Sequence, residues 1–223
     1  MSMQIVVGII VMLLISSPVA ATECQSELFG LRVYIYSHGD EWSIFWKTDG
    51  LHKEKAPFKE GDRTNYYFSG GNKGAERLPQ TLLPRDKQFN VPFDTSHNGE
   101  LLIAGVQERR EGSGLLLPLD PGRQFAIVDL KKSEIVRIID SEYKVQALAW
   151  APDNKYFAVL NKQDVTDHVF KGPSDWLASL VGHPISYYTF YLTIYKPDGT
   201  SVCTAQVAKK LPDAMSYIDW EKK

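Results

Sequence analysis

The sequence predicts an all-β protein built from four-stranded antiparallel units, with one short helix inside an insertion. Short runs of β-branched, aromatic and aliphatic residues recur along the chain, and clusters of Gly, Asn, Asp and Pro separate them. This is the pattern of many short antiparallel strands. The strand–turn–strand arrangement also repeats, which indicates a chain made of similar structural units.

The predicted strands follow one another in pairs joined by polar turns. In the turn at 196–199, Lys-Pro-Asp-Gly, the proline fixes φ at the first corner and the glycine accepts a positive φ further on. The predicted strands cover residues 31–36, 42–46, 65–68, 101–106, 125–130, 135–139, 145–150, 156–160, 187–195 and 201–207.

Three of the turns resemble one another and indicate a repeat. They cover residues 37–41, 96–100 and 151–155, and each lies between two strand-like runs. His38 and His97 occupy equivalent positions in two of them, which points to a repeated turn and not to a site. The repeated unit is therefore strand, Asx/Gly turn, strand, loop, strand, polar turn, strand.

Residues 147–159, Ala-Leu-Ala-Trp-Ala-Pro-Asp-Asn-Lys-Tyr-Phe-Ala-Val, carry a resemblance to a known family. The segment resembles the inner hairpin of WD40-like and TolB-like β-propeller repeats, in which an apolar strand precedes Ser-Pro-Asp-Gly-Lys and a second apolar strand. Ala151 replaces the serine and Asn154 replaces the glycine, and asparagine tolerates the left-handed conformation that this turn needs.

The resemblance covers about residues 90–220 and is weaker over 22–90. Residues 125–130 resemble the third strand of such a blade, and residues 215–220 resemble the first strand of another. It implies antiparallel four-stranded blades in a propeller-like array. The motif is widespread and implies no particular activity.

The number of predicted blades leaves the array incomplete. The sequence accounts for about three blades and one additional final strand, whereas closed propellers have at least four. Three interpretations stay open: a ring of short, degenerate blades, an open array derived from a propeller, or a structure that a partner completes.

Residues 1–21 have the layout of a signal peptide. Residues 5–15 are apolar apart from Gly8, Pro18 breaks the segment, and small residues end it at Ala21. The first four residues include no Lys or Arg, so an uncleaved anchor is the alternative, but a span needs about 20 apolar residues. We expect cleavage after Ala21, a single propeller-like domain over 22–223, an exported product that is periplasmic or secreted, and no membrane span in it.

The chain has two cysteines, Cys24 and Cys203. Oxidising compartments allow such residues to pair, and export therefore favours a disulfide between them. The alternative is two buried thiols. If the array brings its two ends together, the bridge joins the start of the mature chain to the last full blade.

The insertion at 161–186 interrupts the β pattern. Residues 174–182 predict a short helix in which Ser174 caps the N-terminus, Asp175 interacts with the helix dipole and Gly182 ends the helix. Trp176, Leu177 and Leu180 have two interpretations. They either bind a partner or close an open end of the core.

Motifs for catalysis and cofactors are absent from the sequence. We find no His-x-x-x-His or Cys-x-x-Cys spacing, no Gly-x-Ser-x-Gly and no phosphate-binding loop. We therefore assign no catalytic residue and no cofactor. Asp164, Asp167 and His168 are near enough in sequence to hold a metal, although a polar loop is the more ordinary interpretation.

The net charge argues against nucleic-acid binding, and the predicted export indicates a function in the cell envelope. The chain has 25 basic and 27 acidic residues and a net charge of −2, and it lacks the basic excess of nucleic-acid-binding proteins. We expect a protein-binding or scaffold module whose partner is another protein of the cell envelope. The alternatives are an exported hydrolase or lyase with dispersed carboxylates, and a truncated propeller without a present role.

Overall fold

A computed structural model describes Cys24 and residues 30–37, 40–47, 50–55, 79–108, 122–168, 172–182, 184–212 and 214–220. The predicted signal peptide at 1–21, the predicted strand at 65–68 and the turn histidine His38 lie outside these residues. In the described part of the chain, no helix is long and apolar enough to cross a bilayer.

The described residues form twelve strands, one α-helix and two short 3₁₀ turns, Gln80–Leu82 and Thr166–His168. The α-helix, α1, is Pro173–Leu180. The strands are β1 Leu31–Ser37, β2 Asp40–Lys47, β3 Gly50–Lys55, β4 Lys87–Thr95, β5 Leu101–Glu108, β6 Gln124–Asp129, β7 Glu134–Asp140, β8 Lys144–Trp150, β9 Phe157–Asp164, β10 Tyr187–Tyr195, β11 Ser201–Pro212 and β12 Met215–Trp220.

These strands form three four-stranded sheets, and every pairing is antiparallel. The second sheet has the order β4-β5-β6-β7 and the third contains β8 to β11 in sequence order, whereas the first has the order β12-β1-β2-β3. The predicted fold class, antiparallel four-stranded sheets with one short helix in an insertion, is confirmed.

The final strand completes the first sheet. β12 pairs with β1 from Leu31 opposite Trp220 to Tyr36 opposite Met215. β2 occupies one edge of β1, so β12 covers the other edge and satisfies backbone groups that would otherwise be unpaired. The predicted final strand, which belonged to none of the three predicted blades, is thus β12. It is the inner strand of the first sheet, whose other three strands are β1 to β3.

The third sheet lies between the other two, because its inner strand β8 packs against both β4 and β12. Towards the first sheet, Leu31, Val33 and Ile35 pack with Leu160 and Leu192. Strands of the first and second sheets do not pack extensively against each other in the described residues. Among the residues that the structure describes, the array is therefore propeller-like and does not close into a ring.

Aromatic rings form the contact between the second and third sheets. Phe125 meets Phe157 edge to face at 6.0 Å, and Phe157 stacks on Tyr195 at 5.3 Å. Trp150 lies 5.0 Å from Phe157 and is almost fully buried. Such ring pairs stabilise a contact beyond the area that they bury.

The turns at 96–100 and 151–155 are equivalent, as predicted. Each joins the first two strands of its sheet, and they touch where the His97 N–H donates to Asn154 Oδ1 at 2.7 Å. Asn154 has φ 58°, which confirms its left-handed conformation. The proposed equivalence of the turn at 37–41 is wrong, because it joins β1 to β2, the second and third strands of the first sheet.

The Cys24–Cys203 disulfide is present, with the two Cα atoms 5.7 Å apart. Cys203 lies in β11 and Cys24 is buried in the core between the first and third sheets. The predicted pairing of the two cysteines is confirmed, and the bridge joins Cys24 to the third sheet.

Candidate functional site

The insertion between β9 and β10 is the candidate site. It is shorter than predicted, because Asn161 to Asp164 continue β9 and pair with β10, Asn161 opposite Tyr191 and Asp164 opposite Tyr188. The backbone hydrogen bonds of the sheet override the polar composition of this stretch. The insertion therefore covers residues 165–186, and its base is a hydrogen bond from the Val165 N–H to the Tyr187 carbonyl at 2.9 Å.

α1 begins differently from the prediction. Its N-cap is Gly172, and Asp175 Oδ2 accepts the Gly172 N–H at 3.0 Å. Pro173 occupies the first position of the helix, where its missing N–H costs nothing. Ser174 is consequently inside the first turn, so the prediction that it caps the helix is wrong, whereas the predicted helix and the positive φ of 81° at Gly182 are confirmed.

Asp175 anchors α1 to the third sheet. Its side chain is 6% exposed, and its two carboxylate oxygens accept the Tyr187 hydroxyl at 3.1 and 3.0 Å. Because Tyr187 is the first residue of β10, this contact joins the helix to the sheet. Hydrogen bonds to a buried carboxylate are among the stronger neutral-to-charged contacts in proteins, so the orientation of α1 is defined by a polar anchor.

The opposite side of α1 presents apolar side chains to solvent. Trp176 is 63% exposed, Leu177 58%, Leu180 64% and Val181, immediately after the helix, 71%. Residues four positions apart lie on one side of a helix, so these four residues form one continuous surface, called here the α1 apolar face. The interpretation in which Trp176, Leu177 and Leu180 close the core does not agree with their exposure.

The α1 apolar face contains no charge. From Gly172 to Gly182 the only charged residue is Asp175, whose carboxylate is buried on the other side of the helix. The helix thus buries its polar anchor and exposes its apolar residues, the reverse of an ordinary surface helix. Contiguous exposed apolar patches of this kind mark interaction sites.

Asp164, Asp167 and His168, the candidate metal ligands, lie at the start of the insertion. Asp164 Oδ1 accepts both the N–H and the hydroxyl of Thr166, at 3.0 and 2.5 Å. Desolvation acts to raise the pKa of Asp164, but the two Thr166 hydrogen bonds outweigh it and the pKa is lowered. The side chain of His168 lies outside the described residues, within which no three His, Cys, Asp or Glu side chains are grouped to hold a metal.

A second polar cluster lies where the inner strands end. Asp94 Oδ2 accepts the Trp150 N–H at 2.7 Å, and Oδ1 accepts the Thr95 N–H at 2.9 Å. Desolvation raises the pKa of Asp94, helped by the charge of Asp219, while the two hydrogen bonds oppose it. Oδ2 joins β4 to β8, whereas the Oδ1 contact stays within β4, so Asp94 has a structural role.

No protein-family model matches the chain, and no curated protein matches it. Among solved structures, the β-propeller domain of Cps50 (Swd1) from Myceliophteria thermophila matches 77% of this chain with 10% identity and a TM-score of 0.26. A eukaryotic initiation factor matches 82% of the chain with 10% identity and a TM-score of 0.16. The chain spans about half the length of these structures, 56% of each.

These distant similarities concern the fold alone. At these TM-scores they carry no conclusion about activity or partners.

The sequence located three residues of the α1 apolar face and missed the fourth, Val181. Its position four residues after Leu177 is the signal that could have placed it on the same side. No local sequence pattern predicts that Tyr187 donates a hydrogen bond to Asp175, because this contact forms only when β10 lies beside α1 in the folded chain.

Proposed function

We propose that the protein is an exported protein-binding or scaffold module of the cell envelope, and that it binds its partner through the α1 apolar face. The observation that carries the proposal is the exposure of Trp176, Leu177, Leu180 and Val181 on a helix that a buried carboxylate anchors. Protein-binding hot spots combine large apolar or aromatic residues with a rigid support.

Two features support export. The signal-peptide layout of residues 1–21 is the first. The Cys24–Cys203 disulfide is the second, since such bridges persist in oxidising compartments. The two features are independent, because one lies in the targeting segment and the other in the folded domain.

We further propose that the domain derives from WD40-like or TolB-like propeller repeats. The hairpin formed by β8 and β9, with Pro152-Asp153-Asn154 at its turn, is the segment that resembles those repeats. Binding modules built on this fold commonly use loops at one end of their blades, and the insertion at 165–186 is such a loop.

The native mass of the exported protein tests the proposal. The full chain, with its signal, is purified from the cell envelope after mild cross-linking and weighed by light scattering. A stoichiometric complex heavier than the mature chain is expected. A chain that is monomeric in its native envelope would contradict the proposal, and a hydrolase or lyase would then be sought with sugar and peptide substrates, using Asp164→Ala and Asp167→Ala as variants.

A further inference from the structure

The chemistry of the α1 apolar face also specifies the surface that receives it. We propose that α1 inserts as a helix into an apolar, uncharged groove of a partner protein, with Trp176 and Leu180 as the central anchors. This inference rests on the proposed function and adds the recognition mode and the chemistry of the partner. Helix-in-groove recognition uses anchors at positions i, i+3, i+4 and i+7 of one helix face.

Charge is the first reason. Between Gly172 and Gly182 no charged side chain is exposed, because Asp175 is buried against Tyr187. A partner that placed a charge opposite this face would lose its hydration without gaining an ion pair, which is costly. The complementary surface is therefore apolar and carries no charge at the point of contact.

The second reason is the small size of α1, which argues against a second copy of this chain as the partner. α1 has eight residues, so it is about 12 Å long, and its apolar face consists of four side chains. A stable flat interface buries about 800 Å² from each partner, which two such helices cannot provide against one another. A groove encloses the helix from several sides and so buries more of each anchor.

The surroundings of the helix argue against a lipid surface. Helices that lie in a membrane interface carry Lys and Arg on their polar face, and α1 has none. Asp164 and Asp167, both exposed, lie at the start of the insertion.

The anchor makes the helix rigid before it binds. Asp175 fixes the first turn through the Gly172 N–H and holds the helix to β10 through the Tyr187 hydroxyl, at about 3 Å in each case. A pre-ordered helix loses less conformational entropy on binding than a flexible loop. The anchor therefore contributes to affinity without touching the partner.

Position-resolved cross-linking tests the inference in the full chain. A photoreactive residue is placed at Leu177 or Leu180, and at Val136, which is 47% exposed on β7, as a matched apolar control. In exporting cells, we expect the probes at positions 177 and 180 to give an adduct with the same single protein. We expect the probe at position 136 to give no protein adduct. The partner peptide identified by mass spectrometry is expected to be apolar and free of Asp, Glu, Lys and Arg, apart from a Lys or Arg left at its end by the protease.

Three results would overturn the inference: adducts with lipid, adducts with a second copy of this chain, or attachment to a charged peptide. A heavy complex in the native-mass experiment with no adduct from α1 would refute the helix-in-groove inference and leave the proposed function standing. A monomer in that experiment would refute both. Vesicles of phosphatidylethanolamine and phosphatidylglycerol at 3:1 provide the lipid arm, and the purified chain is expected not to sediment with them.

A substitution in the anchor gives a second readout. Tyr187→Phe removes the hydroxyl that Asp175 accepts and keeps the ring. It is expected to lower the adduct yield of the probe at position 180 several-fold, although Trp176 and Leu177 are not substituted. Tyr191→Phe is the control, because its hydroxyl donates to Gln163 on the sheet. Equal yields from the two variants would show that the anchor does not position the helix.

Discussion

The side chain of Asp94 joins the inner strands of the second and third sheets. Its two oxygens accept the N–H groups of Trp150 and Thr95. Desolvation raises its pKa from the ordinary value of 3.8, so the folded protein binds this proton more tightly than the unfolded chain does. The tighter proton binding stabilises the folded protein fully below pH 3.8. This stabilisation is lost as the pH rises through the pKa of Asp94 in the folded state.

Asp94→Asn removes the ionisation and keeps an oxygen for the Trp150 N–H. We expect its free energy of unfolding, relative to the wild type, to increase as the pH rises through the folded pKa of Asp94, and then to level off. Urea unfolding at a series of pH values measures this difference. A difference that is constant with pH would show that Asp94 does not titrate as inferred.

Asp198→Asn is a matched control of opposite sign. The Thr200 N–H donates to Asp198 at 2.8 Å, and this hydrogen bond is the main reason that the pKa of Asp198 is lowered. The ionised form of Asp198 therefore stabilises the fold above pH 3.8, and this stabilisation is lost as the pH falls through the folded value. Relative to the wild type, the variant should lose stability as the pH rises.

At the scale of elements, the hairpin turn between β10 and β11 packs against the second sheet. Gly199 has φ 82°, and a Cβ added to it would lie 2.7 Å from Ile139 Cδ1 and 3.0 Å from Arg137 Cδ. Gly99, in the turn between β4 and β5, has a similar φ of 70° but no atom within 4 Å of an added Cβ. Comparing substitutions at these two glycines therefore distinguishes the cost of backbone strain from the cost of crowding between the sheets.

Gly99→Ala is expected to cost about 1 kcal/mol, the penalty for a side chain in the left-handed region. Gly199→Ala carries the same penalty and also crowds Ile139, so we expect its total cost to be about 2–4 kcal/mol. Chemical denaturation of both variants measures the two costs. Equal costs would mean that the turn does not press against β7.

The sequence predicted elements well where a run of aromatic, aliphatic and β-branched residues marks a strand, as in Tyr187–Tyr195, whose bounds are those predicted. It missed β3, Gly50–Lys55, because three of its six residues are charged. It missed β4, Lys87–Thr95, where Pro92 coincides with a shift in the pairing register between Asn90 and Phe93. Propensity is a weak signal where neighbouring strands supply the stabilisation.

Local sequence patterns could not predict the order of the strands in the first sheet or the contact that holds α1 to β10. The residues of β12 resembled the first strand of a blade, but only the folded chain shows that the other strands of that blade are β1 to β3. The contact between Asp175 and Tyr187 likewise joins residues on separate elements. The sequence could predict which side of α1 is apolar, but not that this side faces solvent.

At the scale of the whole molecule, the disulfide and β12 together hold the two ends of the chain. Cys24 and Cys203 are 179 residues apart in sequence, and the chain-entropy model gives a stabilisation of about 5 kcal/mol for a loop of this length. Cys24→Ala with Cys203→Ala should therefore lower the free energy of unfolding by several kcal/mol. A loss below about 1 kcal/mol would show that β12 alone holds the ends together.

The packing of the sheets supports one exposed helix. Two core clusters fix the third sheet against its neighbours, the third sheet carries the insertion, and Asp175 fixes α1 to β10. The α1 apolar face is thereby held outward on a rigid support, and we expect the partner protein to bind there.

The most direct measurement of this claim is the native mass of the envelope complex for the double variant Trp176→Ser with Leu180→Ser, compared with Val136→Ser. All three substitutions replace exposed apolar residues, so none should unfold the protein. We predict that the double variant is a monomer by light scattering and that Val136→Ser retains the complex. A double variant that retains the complex at its full mass would contradict the claim.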